Sequence, residues 1–76
     1  DIPASLTREE LRWLIENANL DDTSRTILRM HYLDGRYLAY ITAYTGYSPS
    51  QVYRRHRAAL VLLARLVASG ALERRK

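Results

Sequence analysis

Between Ser48 and Arg57 the chain places serine, glutamine and tyrosine among three arginines, in the run Ser48-Pro49-Ser50-Gln51-Val52-Tyr53-Arg54-Arg55-His56-Arg57. Arginine carries a planar fork of N–H donors that matches two acceptors of a phosphate or of a guanine edge. Serine, glutamine and tyrosine add neutral groups that can bond bases or sugar-phosphate oxygens. The chemistry on offer is recognition of an anionic, hydrogen-bonding surface rather than the making of bonds. No nucleophile stands beside a base, no residues have metal-ligand spacing, and no glycine-rich loop could cradle a phosphate. Cysteine is absent, and His31 and His56 alone do not build a zinc site. Neither catalysis, a cofactor nor a metal is expected.

The charge is unevenly spread. Residues 1–35 carry four basic and seven acidic side chains, whereas residues 36–76 carry eight basic side chains and a single acid, Glu73. Eleven of the twelve cations are arginine. Such polarity suits a chain with one end facing a polyanion, and it equally suits a solvated basic face.

These side chains need rigid elements behind them. At 76 residues the chain has room for one small domain over its whole length, with a core that must be economical. Pro3 and Ser5 open a leader, and Thr7 with Glu10 three residues on makes a capping box. Leu11, Leu14, Ile15 and Ala18 then mark a helix over about 8–18, with Trp13 off that stripe, covering the core from the side or marking a partner surface. Asp21 or Asp22 caps a second helix over about 23–34, with Ile27, Leu28, Met30 and Leu33 inward and Gly35 ending it. A third runs over about 37–45, with Leu38 and Ile41 inward, to Gly46. Ser48 as cap and Pro49 as first residue begin a fourth over about 49–69, which buries Val52, Ala59, Leu60, Leu63 and Val67 and closes at Gly70. The pattern predicts an all-α, four-helix fold with one shared core, and it places Tyr32 and Tyr44 inside. No strand pattern and no repeat is present.

Two helices joined by a three-residue turn that begins with glycine make a helix-turn-helix, here over about 37–57. Glycine permits the positive φ that the turn requires, and Ile41 and Val52 can lock the two helices together. The capped end of the fourth helix points its open N–H groups and positive dipole outward. This geometry offers Ser50, Gln51, Tyr53 and Arg54 to base edges, and Arg36, Tyr37, Ser48, Arg55 and Arg57 to phosphates. Arg55 has a second reading, in which it turns back onto an acid of an earlier helix. His56 reads as a packing residue.

The stretches RTILRMHYLDG, RYLAYITAYTG and YSPSQVYRRHRAAL, from Arg25 to about Leu63, resemble region four of bacterial sigma factors and the sigma-like phage regulators. GYSPSQVYR and RAALVLLARL are closer to phage late-gene activators of the ArpU and RinA kind. The resemblance covers about half the chain. It implies sequence-specific duplex DNA binding by a transcription regulator, with RNA polymerase as a further partner, in the cytoplasm of a bacterial or phage-infected cell. It puts the base-reading positions on Pro49, Ser50, Tyr53 and Arg54, and proline has no side-chain donor to offer. Thr42 departs from a preferred alanine, Tyr40 from a common glutamate and His56 from an apolar residue. Thr42 therefore brings a hydroxyl that needs a partner.

The tail of the fourth helix is apolar nearly all round, so it is either wrapped by the first helix or used to pair two copies through Leu62 and Leu66. The rival function is a helical module that docks on RNA polymerase or another regulator and never touches DNA. No apolar run approaches the length of a membrane span, and no signal-peptide pattern opens the chain. The chain opens at Asp1 without methionine, as a segment of a longer protein would.

Overall fold

Thr7 begins the first helix by means of its side chain. In the computed structural model, which describes residues 6–75, Thr7 Oγ1 accepts from the Glu10 N–H at 3.0 Å, and the Glu10 carboxylate accepts from the Thr7 N–H at 3.0 Å. The exchange satisfies two donors that the helix ladder leaves open. Helix α1 (Arg8–Asn17) buries Leu14 and Ile15. Pro3 and Ser5 lie outside the described residues. Asp21 caps α2 (Asp22–Leu28), its Oδ1 2.7 Å from the Ser24 N–H.

The connection between these two helices is tied down by one side chain. The Arg25 guanidinium donates to the carbonyls of Ile15 and Ala18 through Nη1, and to that of Leu20 at 2.8 Å through Nη2. Those carbonyls belong to the end of α1 and the link after it, where the helix supplies no N–H partners.

The second helix departs from expectation after Leu28. It passes into a π-helical turn, Arg29–Leu33, in which the Asp34 N–H donates to the Arg29 carbonyl at 3.1 Å. Gly35 follows with φ 71°. Helix α3 (Leu38–Thr45) ends where Gly46 takes φ 80° and donates its N–H to the Thr42 carbonyl. The Thr42 hydroxyl finds its partner one turn back, donating to the Leu38 carbonyl at 2.9 Å. Helix α4 (Pro49–Ala68) starts at the Ser48 cap, and a short α5 (Ala71–Arg74) follows Gly70. The expectation stopped at Gly70 and had no fifth helix. The fold is all-α, with no strand among the described residues.

Burial forms two clusters where one was expected. Leu14, Ile15, Ala18, Leu28, Leu33, Ala59 and Leu63 make the larger, and Ile27, Ile41 and Val52 make the smaller. The division follows from Ile27 and Leu28, neighbours on α2 that point about 100° apart and so face different partners. Leu11, Leu38 and Leu60 flank these clusters as half-buried residues. Helix α4, like α2, contributes to both, giving Val52 to one and Ala59 and Leu63 to the other.

Tyr44 corrects a second expectation, since it is 67% exposed. Helix α3 buries Ile41 alone, which leaves Tyr44 on its outer flank. Trp13, Tyr32 and Leu66 pack against the larger cluster. Leu66 is therefore covered in part by its own chain, while Val61 and Leu62 stay at the surface.

Candidate nucleic-acid interface

The turn before α4 is short because its two ends are chemically fixed. Gly46 reverses the backbone, and Ser48 and Gln51 close a capping box. Ser48 Oγ accepts from the Gln51 N–H at 3.3 Å, and Gln51 Oε1 accepts from the Ser48 N–H at 3.0 Å. Both side chains were expected to meet nucleic acid, Gln51 at a base and Ser48 at a phosphate. Their oxygens instead hold the helix end, which leaves the Gln51 amide nitrogen as the group pointing away from the cap.

Beyond the cap, Ser50, Tyr53, Arg54 and Arg57 are exposed on the first turns of α4. Among the described residues, Arg54 and Arg57 make no ion pair, and neither does Arg36. Tyr37 precedes α3 and is 82% exposed. A crevice of about 360 Å³ separates α3 from the start of α4, with Leu38, Ala39 and Thr42 on one side and Pro49, Val52 and Tyr53 on the other. Tyr53 thus stands at the seam between the two helices.

Arg55 takes its second reading. Its Nη1 donates to Asp21 Oδ2 at 2.8 Å, and its guanidinium lies 5.1 Å from the Tyr47 ring centroid. The same Asp21 carboxylate caps α2 through its other oxygen, so one side chain links the start of α2 to α4. The Ser24 backbone N–H, then the Ser24 hydroxyl and Arg55, hold the Asp21 carboxyl below its usual range. Tyr47 packs against the smaller cluster.

His56 sits behind this surface in a polar contact that replaces simple packing. Its Nε2 lies 3.0 Å from the Tyr32 hydroxyl, and its ring meets His31 edge to face at 5.3 Å. His31 donates from Nδ1 to the Arg36 carbonyl at 2.8 Å, which anchors the π-helical turn to the approach of α3. Burial, and then the nearby His31, push the His56 pKa below 6.5. With His56 neutral, the Tyr32 hydroxyl donates to Nε2. Burial raises the Tyr32 pKa, so that hydroxyl keeps its proton.

The sign of the pH effect follows. A histidine held neutral in the fold contributes stability that is full above its unfolded pKa and is lost as pH falls through the lowered folded value. Thermal melts should therefore show stability dropping as pH falls from about 6.5. His56→Phe should flatten that dependence. An unchanged slope in His56→Phe would assign the acid sensitivity to other groups.

The sequence reading did not single out a column on α3. Arg36, Tyr40 and Tyr44 stand four residues apart, with the guanidinium 4.8 Å from the Tyr40 ring centroid and the two rings 17° from parallel. The spacing was legible, but Tyr44 was taken as core.

No family model, curated protein or solved structure matches this chain. Among the described residues no cluster of three His, Asp or Glu could hold a metal, and no helix is long and apolar enough to cross a membrane.

Proposed function

We propose that the chain is a sequence-specific duplex-DNA-binding domain of a transcription regulator, of sigma-like or phage-activator type. In this reading α3 and α4 act as a helix-turn-helix, and the first turns of α4 enter the major groove. The observation that carries it is the division of labour among three successive arginines of α4. Arg55 is drawn back onto Asp21, while Arg54 and Arg57 are exposed beside Ser50 and Tyr53 without an acid of their own. Duplex phosphates and guanine edges are the complement of such a surface. Arg36 and Tyr37 would meet the backbone at the groove's rim, and Arg57 a second phosphate.

Two substitutions test the assignment. Arg54→Ala should relax preference at one base position, a loss of about 1–3 kcal/mol of discrimination, and leave binding to random duplex largely intact. Arg57→Ala should weaken binding to every sequence alike and flatten the salt slope by about one. Selection of bound sites from random duplex, followed by gel shifts, reads both. No change in either property for Arg54→Ala would mean that another face of α4 reads the bases.

The rival is a protein-docking module that binds RNA polymerase or another regulator. Its support is the exposed apolar pair Val61 and Leu62, which would equally serve two copies bound at adjacent half-sites. Salt separates the readings, because phosphate contacts lower log affinity by about 0.9 per decade of salt for each phosphate neutralised. A wild type that binds no duplex even at low salt would favour docking.

A further inference from the structure

We propose that the outer face of α3 is a stacking site for unpaired nucleobases, with a base seated between Tyr40 and Tyr44 and the adjoining phosphate on Arg36. This site does not depend on how α4 reads duplex DNA. Tyr40 lies two residues from both Leu38 and Thr42, about 200° round the helix, and so faces away from the crevice those residues share with α4. Tyr40 and Tyr44 are 47% and 67% exposed, which is unusual for two aromatic rings one turn apart.

The spacing points to the ligand. The ring centroids are 6.5 Å apart and the planes 17° from parallel. That is the wide end of the roughly 4.5–7 Å found for aromatic pairs. Stacked bases rise by about 3.4 Å per nucleotide, so a base held between two rings separates them by about 6.8 Å. The centroid separation and the near-parallel planes match those of two rings that flank one flat group.

Charge points the same way. Helix α3 carries no charged residue, and Arg36, one turn before Tyr40, is a cation without an ion pair among the described residues. A nucleic-acid strand supplies both the flat π-face and the anion, in alternation. Paired bases have their faces covered by neighbours, so only an unpaired strand could use the rings. Because every base has a π-face, the site would tolerate any sequence.

The test is fluorescence anisotropy of the full chain with a labelled oligothymidylate at low salt, alongside a labelled duplex. The wild type should bind the single strand. Tyr40→Phe/Tyr44→Phe should retain that binding, because the ring faces remain. Tyr40→Ala/Tyr44→Ala should weaken it roughly five- to 150-fold, the range that loss of one base–aromatic stack gives. Because Arg36 lies on the Tyr40 ring and serves both surfaces, duplex affinity should fall far less than oligothymidylate affinity in the alanine variant and stay unchanged in the phenylalanine variant. Alanine improves helix propensity at both positions, and circular dichroism checks that α3 persists. Equal oligothymidylate binding by the alanine variant would overturn the site by showing that charge alone suffices. Absence of wild-type binding would overturn it and leave the tyrosines as a protein contact, and loss in the phenylalanine variant would replace stacking by hydroxyl bonding. If duplex binding fails throughout while oligothymidylate binding tracks the tyrosines, the reading of α4 falls and this site stands.

Discussion

Arg25→Ala is expected to destabilise the domain by about 2–5 kcal/mol, seen as a lower midpoint in urea without a change of slope. Three carbonyls, of Ile15, Ala18 and Leu20, converge on one guanidinium. A hydrogen bond to a charged donor contributes about 1.5–3 kcal/mol, and water reaching the link recovers part of what is lost. Against a total of about 5–15 kcal/mol for an ordinary domain, that is a large share. Lysine has the charge but not the fork, so Arg25→Lys should recover only a fraction. A variant Arg25→Ala within about 0.5 kcal/mol of wild type, the usual range for surface substitutions, would show that packing alone holds the link.

A second large effect is expected at Val52. This side chain is fully buried and meets Ile27 and Ile41 in a cluster whose buried members are all aliphatic. Val52→Asp puts a carboxylate there at a cost of several kcal/mol, enough to part α3 from α4 and abolish duplex binding. Val52→Ala removes about two methylene equivalents and should cost roughly 2 kcal/mol. Ser50→Asp, two residues away on the exposed side, should leave the melting temperature close to wild type while weakening DNA binding by charge. Equal melting temperatures for Val52→Asp and Ser50→Asp would mean that α3 and α4 are not joined through this cluster.

The parts of the fold that were legible in the sequence are those set by short-range chemistry. Thr7 with Glu10, Asp21, Ser48 with Pro49, and the glycines at 35, 46 and 70 each act within four residues, so helix starts and stops could be read directly. The π-helical turn was not legible, because the types of residues 29–33 do not mark it and its side-chain partners Arg8, Glu16 and His56 lie far away in the chain. Nor was the split of the core, since periodicity shows which face is buried but not against what. Tyr44 illustrates the same limit: its helix was placed correctly and its neighbours were not. At the candidate interface, residue types named the arginines. Only the fold could say that Arg55 is withdrawn onto Asp21, an acid far away in the chain.

Helix α4 also acts as a length standard. Val52 is fixed in one cluster and Ala59, seven residues on, in the other. Each residue advances an α-helix by about 1.5 Å and turns it by about 100°. One residue inserted between them would put Val52 about 100° and 1.5 Å out of register with Ala59, so that a regular α4 could keep only one of its two anchors. Substitutions within this interval are cheap wherever the side chain faces solvent, whereas a change in its length is not. A lineage of such domains would keep the number of residues from 53 to 58 even where their letters changed.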